Sequence, residues 1–462
     1  MTGYLFAAGF FALLILALVR HPRYGMYAYM AAFYVHPPSR WWGATLPDFR
    51  WSLLASAFLW IALLRCPRNP DQPRWSKSQP ARLLIAFCLL VWIQNLWALD
   101  ADENLAFSIL YTKYLLLYYF MYRLADSPEN IRHILIAHVA GCLYLGWIAY
   151  GAPVDSDRLD GVGGPGINDS NTLGMQFATA IPCGAMILLI ERNWRFILTA
   201  LSMVFSLNGL VLCGSRGAFL SVVAGTGALV FYSPRHYRRT FFVLAALGLV
   251  MFSAVASTTF WSRMDTMKGA VNEDAAPLDN SAESRFYIVR AQFQMFAEHP
   301  LGTGHRGTAA LSRQYIAERY LSRTLAGGFG ERASHNSFMS ALSEHGIPGA
   351  IIFIWIALWC RKAAKESRKM LQDESPIVAS YVAAVYGALV VVLVAGLFAD
   401  FIAVEVTVWL LAILASMHAI AKKNPAALAV QALPGAQRRL EPAAAAGVAA
   451  GSSRSRSSAS PP

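Results

Sequence analysis

Residues 377–398 read IVASYVAAVYGALVVVLVAGLF, without a single charge. A helix needs about 20 mostly apolar residues to cross the hydrocarbon core of a bilayer, so this stretch predicts a transmembrane span. Similar stretches recur at approximately 3–19, 24–38, 51–65, 82–98, 105–122, 131–150, 172–190, 195–213, 217–232, 240–256, 336–360 and 402–420. The second and third are short for a span, so the expectation is about 12 transmembrane helices (12–13) in an all-α polytopic membrane protein. Composition agrees. The 462 residues are 56% hydrophobic and only 14% charged, with a mean hydropathy of +0.41, whereas a soluble domain is about a quarter charged.

The longest break between apolar stretches is about 75 residues, from Thr258 to Arg332, and leads to His335. The chain therefore divides into N-terminal spans (1–150), core spans (151–256), a large loop (257–335), C-terminal spans (336–421) and a tail (422–462). Irregular loops carry function more often than the elements that hold them. The tail is rich in Ala, Ser, Pro and Arg and cannot bury enough apolar surface to order itself; its basic residues could touch anionic membrane lipid.

Basic residues concentrate in cytoplasmic loops. Arg65–Arg82, Arg192 with Arg195, Arg235–Arg239 and Arg361–Lys369 mark four such loops, while the loops between them are neutral or acidic. The alternation predicts that the glycine-rich segment near 160, the Ser215-Arg216-Gly217 turn and the large loop lie outside, and the tail inside. The net charge of +12 is topology and tail. No soluble basic patch with interleaved aromatic residues calls for nucleic acid. None of the six cysteines lies in the large loop or forms a CxxC pair, so neither a disulfide framework nor a zinc site is expected. The N-terminus lacks a basic n-region, so the first span is expected to stay as an anchor.

Four outward segments carry polar residues that an anchor does not need. The first runs from Asp157 to Asn171 and includes Arg158, four glycines and Asn168. Glycine lets backbone approach a ligand, and Asn168, Asp169 or Ser170 could cap the next span. The pair Asp155 and Asp157 reads as an ordinary loop. The second is Ser215-Arg216-Gly217, where an Arg close to the membrane is costly unless paired. The third is Asn280–Pro300. Asn280 and Glu283 fit a capping box, and Phe286, Val289, Phe293 and Phe296 recur at helical spacing, which predicts an amphipathic helix able to lie on the membrane. Arg285 near its start opposes the helix dipole, so helix stability does not explain it; Arg290 lies off the apolar stripe. The fourth is His335-Asn336-Ser337-Phe338, leading to Glu344-His345-Gly346. Neutral His accepts protons near pH 7. Asp400 and Glu405, at the outer turn of the last two spans, are the carboxylates best placed for acceptor contacts.

Arginines hold phosphate oxygens, and fixed cations stabilise the charge that a diphosphate gathers as it leaves. A histidine beside them can orient and activate a hydroxyl. Together these suggest glycosyl transfer without a metal.

The segments Gly166-Ile167-Asn168-Asp169-Ser170-Asn171, Gly214-Ser215-Arg216-Gly217, Ser284-Arg285-Phe286, His299-Pro300-Leu301-Gly302-Thr303-Gly304, His335-Asn336-Ser337-Phe338 and Glu344-His345-Gly346-Ile347-Pro348-Gly349 resemble, in order and spacing, the O-antigen ligase and O-antigen polymerase superfamily over roughly 150–360. The N-terminal His36-Pro37-Pro38-Ser39-Arg40-Trp41-Trp42 looks like the bacterial branch of O-glycosylation ligases found in exosortase gene clusters. The resemblance implies a GT-C class glycosyltransferase of the bacterial inner membrane. Such an enzyme takes a glycan from undecaprenyl diphosphate and, in a ligase, passes it to a sugar hydroxyl of lipid A–core oligosaccharide. Transfer occurs at the periplasmic face with inversion, without metal or other cofactor. By the same resemblance, Arg216 and Arg285, with Arg290 nearby, bind the donor diphosphate and His335 activates the acceptor; Arg158, Asn168, Asn171 and Asn336 support them. A polymerase or a protein O-oligosaccharyltransferase would use the same donor. An anion transporter is the alternative outside enzymes, though charges gathered at one face argue for surface chemistry over transport.

Overall fold

The computed structural model describes residues 1–47, 49–153, 159–256, 280–321 and 330–429. Among them every regular element is helical: α1 Thr2–Val19, α2 Arg23–Val35, α3 Trp51–Arg65, α4 Gln79–Gln94, α5 Ala101–Leu124, α6 Pro128–Gly151, α7 Ser170–Ile190, α8 Trp194–Cys213, α9 Arg216–Tyr232, α10 Arg235–Val255, α11 Asn280–Glu298, α12 Gly307–Tyr315, α13 Ser337–Ser343, α14 Gly346–Leu371, α15 Pro376–Ala395 and α16 Glu405–Lys423, with short 3₁₀ turns between some of them. Among the described residues, eight helices are long and apolar enough to cross a membrane: α1, α6, α7, α8, α10, α14, α15 and α16. The helices α3, α4 and α9 are apolar but shorter.

The stretch quoted first, now α15, sits at the centre. With α7 and α16 it is the most buried of the long helices, while α1 and α10 are mostly exposed along their apolar sides, as lipid-facing helices should be. Apolar side chains gain little from leaving lipid, so helices in a bilayer associate through close backbone packing at small residues. The α9–α15 crossing does this: a Cβ on Gly225 would lie 2.7 Å from the Gly387 carbonyl oxygen and 2.4 Å from Val391.

Charges sort to the two ends of α7, which at 21 residues is about 30 Å long. At its C-terminal end Glu191 pairs with Arg132 at 3.2 Å and with Arg195 at 3.5 Å. Its N-terminal end carries the glycine-rich segment. The two ends thus separate the residues of the expected inside and outside loops.

One expected span is differently built. The apolar run at 336–360 starts as the short helix α13, turns at Glu344–His345, and restarts as α14. The cause is a backbone intrusion by the segment after α11. Gly304 N–H donates to the Glu344 carbonyl (2.9 Å) and Ile347 N–H to that of Pro300 (3.1 Å). Gly346 is left-handed (φ +65°), and a Cβ there would lie 2.4 Å from the Leu301 carbonyl carbon. The His299–Gly304 and Glu344–Gly349 motifs are therefore two halves of one interlock.

The amphipathic helix expected from Asn280 is present as α11. Ile288, Ala291 and Met295 on one face of it pack with Leu311, Ile316, Tyr320 and Leu321 in a small core of their own. Phe286 and Phe293, from the stripe predicted to meet the membrane, are exposed. The capping pair Asn280 and Glu283 lies outside the described side chains.

Candidate active site

Four loops meet at the N-terminus of α7, and a chain of caps aligns them. Asp169 is the N-cap, its carboxylate accepting from the N–H of Asn171 (3.0 Å) and of Thr172 (3.2 Å); a side-chain oxygen at this position satisfies donors that the helix leaves open. Asp160 accepts from Ser170 N–H at 2.6 Å. Asn171 then reaches sideways: its Oδ1 accepts from the Ser215 hydroxyl at 3.0 Å. That hydroxyl in turn caps α9 by accepting from Ala218 N–H at 3.3 Å, which sets Arg216 as the first residue of α9. From the N-terminal region Arg40 Nη2 donates to the Val162 carbonyl (3.0 Å), and Gly164 packs on the His36 ring. The His36–Trp42 motif thus braces the glycine-rich segment.

The fourth loop is fastened to the α15–α16 turn. Asn336 caps α13 by accepting from Phe338 N–H (2.9 Å) and Met339 N–H (3.1 Å), and its amide donates to the Leu397 carbonyl (3.2 Å). Ser337 N–H donates to the Gly396 carbonyl at 2.7 Å, and the Ser340 hydroxyl donates to Asp400 at 2.6 Å. This clamp holds His335 in a left-handed backbone, φ +53°. Non-glycine residues seldom adopt that region, and such strain gathers at functional sites.

His335 is half-buried. Burial, then the charges of Arg332 and Arg285, push its pKa down to about 4, with Asp169 opposing. The imidazole is therefore neutral at ordinary pH. Arg332, three residues before it, is also half-buried, and burial holds its pKa below the usual value. Its Nε is buried without a hydrogen-bond partner among the described residues. Asp169, whose charge acts on His335, also lines a cavity of about 460 Å³, together with Asp160, Gly166, Asn168 and Thr172 and with Asp400, Ala403 and Val404. Burial, then the nearby charge of Glu344, raises Asp400 to about 6.

The structure therefore brings His335, Arg285 and Asp169 within electrostatic reach of one another, and ties Arg216 to the same end through Ser215 and Asn171. Asn168 lines the cavity; Asn171 and Asn336 hold the loops. Arg290 is exposed on α11, and its charge is not among those acting on His335. Arg158 lies outside the described residues. Of the two acceptor-side carboxylates, Asp400 lines the cavity, whereas Glu405 accepts from the Tyr29 hydroxyl at 2.8 Å instead. From sequence Arg332 reads only as one of several arginines in the large loop. Its nearness to His335 was the available signal.

A second cluster was not foreseen at all: His305, Glu344 and His345, whose ligand-type atoms lie within 4.8 Å of one another.

Residues 201–354 match the family model described as O-antigen ligase. The likeness is to that stretch, about a third of the chain. It covers α8 through the first turns of α14, and so contains Arg216, Arg285, Arg332 and His335, but not the glycine-rich segment or Asp400. No curated protein matches the chain.

Proposed function

We propose that this O-antigen ligase-like protein is an inverting glycosyltransferase of the GT-C class with about 12 spans. It moves a glycan from undecaprenyl diphosphate to a sugar hydroxyl of lipid A–core oligosaccharide at the periplasmic face of the inner membrane. One observation carries the reading: a neutral histidine in a left-handed backbone feels the charges of two guanidinium groups and of Asp169, and Asp169 in turn lines a cavity with Asp160 and Asp400.

In this mechanism Arg285 and Arg332, with Arg216 at the α9 terminus, hold the diphosphate and stabilise the negative charge it gathers as the glycosidic bond breaks. The acceptor sugar enters the cavity, where Asp400 and Asn168 hydrogen-bond its hydroxyls. His335 takes the proton of the attacking hydroxyl. Its low pKa makes it a weak base while the site is empty of anion. Diphosphate on the two arginines offsets their charge, and the imidazole then moves back towards its ordinary affinity for protons. The donor thus arms the base.

The test is transfer with purified protein, undecaprenyl-diphosphate-linked glycan and lipid A–core. A single ligated product that depends on His335 supports the reading. A ladder of longer lipid-linked glycans would make the protein a polymerase, and glycan on an added polypeptide would make it a protein O-oligosaccharyltransferase.

A further inference from the structure

The His305, Glu344 and His345 cluster lies at the interlock between the segment after α11 and the α13–α14 turn. Its hydrogen bonds determine how each group is oriented. The Gln94 amide nitrogen donates to the carbonyls of Leu301 (3.3 Å) and Glu344 (3.0 Å). Its oxygen must then accept, and among the described residues it meets His345 Nδ1 at 2.9 Å. His345 therefore carries its proton on Nδ1, and Nε2 presents a lone pair. That nitrogen is buried, and no donor among the described residues reaches it; the whole residue is 0% exposed. Glu344, also buried, presents Oε2 to His305 Nδ1 at 3.5 Å and accepts there from Arg306 N–H at 3.1 Å. The His305 ring is stacked on Phe107 at 3.8 Å, and Phe107 also stacks against His345.

Buried acceptors are nearly always satisfied. Here a lone pair, a carboxylate and a second imidazole converge with nothing between them that can donate to all three. We propose that this cluster is a divalent-cation site of zinc type, in which His345 Nε2, Glu344 and His305 Nδ1 are the protein ligands. Two imidazoles and one carboxylate are a borderline-soft donor set that suits zinc. Gln94 supplies the outer hydrogen bond that fixes a ligand histidine's tautomer and ring, and Arg306 N–H does the same for the carboxylate. Ligand atoms around tetrahedral zinc at roughly 2.0–2.1 Å stand about 3.4 Å apart. The present separations, within 4.8 Å, leave up to about 1.4 Å to close. His305, half-buried and on a loop, can make that movement.

The role is to brace. The cation ties residue 305, which follows the helix carrying Arg285, to residues 344 and 345, which follow the helix next to His335. It makes no contact with the transferred glycan, and the proposal stands or falls independently of the transferase reading.

The test uses full-length protein in detergent, stripped with chelator and titrated with zinc chloride alone. We expect one zinc per chain by elemental analysis after desalting. Zinc should raise the thermal unfolding midpoint of wild-type protein by several degrees. His305→Gln, at a half-buried position that can change without disturbing the core, should weaken binding at least 100-fold and abolish the zinc-dependent shift while unfolding near the midpoint of stripped wild type. His345→Gln should also lose the zinc. Failure of wild type to retain zinc, or equal retention by His305→Gln, overturns the proposal, since the chain's other histidines would then account for any binding.

Discussion

His335 and His345 stand two residues before and two residues after the seven-residue helix α13, and burial drives both to a pKa of about 4. Their surroundings are opposite. His335 is half-buried, strained in backbone, and beside Arg332 and Arg285, whose charges help to hold it neutral. His345 is fully buried, its Nδ1 is bonded to Gln94, and its charged neighbour is the carboxylate of Glu344, which opposes the shift. Equal proton affinity therefore says little about role. Burial, the larger cause at both, stays; what matters is whether the contribution of neighbouring charges can be offset. An anionic ligand can neutralise the two guanidiniums around His335; nothing that binds in the cavity can unbury His345. The first is built to change state and the second to stay in place.

The largest expected effect breaks this contrast if it fails. His335→Asn should lower the turnover of glycan transfer at least about 100-fold, the usual scale for a lost general base. Asparagine tolerates the left-handed backbone better than alanine, so protein yield and thermal midpoint should hold, as should binding of lipid-linked donor. Turnover within a few-fold of wild type would remove His335 from the chemistry, and loss of donor binding would recast it as a phosphate ligand.

A smaller loss, on the order of 10-fold or more in kcat/KM, should follow from Arg285→Ala or Arg332→Ala, because each removes one charged contact to the diphosphate. Donor half-saturation should rise in both. If Arg332→Ala leaves donor kinetics unchanged, its buried Nε serves the fold alone and the cationic wall is Arg285 with Arg216.

Much of this contrast was legible in the sequence. The span at 377–398 announced itself by having no charges, and Arg285 announced itself by opposing the dipole of its own helix. His335 stood at a loop end where an apolar run begins. What stayed hidden depends on contacts between distant segments. The cap that joins Asn171 to Ser215 links residues 44 positions apart, and the interlock that splits 336–360 into α13 and α14 comes from residues 300–304. Hydropathy averages over such a break, because the residues on both sides are apolar. Metal-ligand spacing likewise cannot reveal His305 with Glu344 and His345, since their closeness is made by that same interlock. A CxxC pair is a local pattern, whereas this cluster is assembled by the fold.

A titration sharpens the comparison further. With labelled imidazoles followed by NMR in detergent, His335 should titrate near 4 in the free protein. Its folded pKa lies below the ordinary 6.5, so the neutral form predominates above pH 4 and charging begins as pH falls through that value. Saturating inorganic pyrophosphate should move the midpoint up by at least about one unit, because Arg285 and Arg332 then act through a paired anion. His345 should not move. Equal shifts in both rings would mean a general loosening of the fold, and no shift at His335 would place the anion elsewhere.

The smallest effect concerns Arg290, expected from sequence to help bind the donor. Five residues along an α-helix advance about 500° at 100° per residue, so Arg290 projects about 140° around the axis from Arg285. One face of α11 is taken by Ile288, Ala291 and Met295 in their own core, and Arg285 is half-buried while Arg290 is exposed. Two side chains so far apart on a helix whose rotation is fixed by packing cannot both face one diphosphate. Arg290→Ala should therefore change donor kcat/KM by less than about 2-fold, with a weaker hold on anionic vesicles as its clearest consequence, since an exposed arginine beside Phe286 and Phe293 is placed to meet lipid headgroups. A loss as large as that of Arg285→Ala would mean that α11 turns when the donor binds. The resting charge interaction between Arg285 and His335 would then be a stage before the reactive geometry.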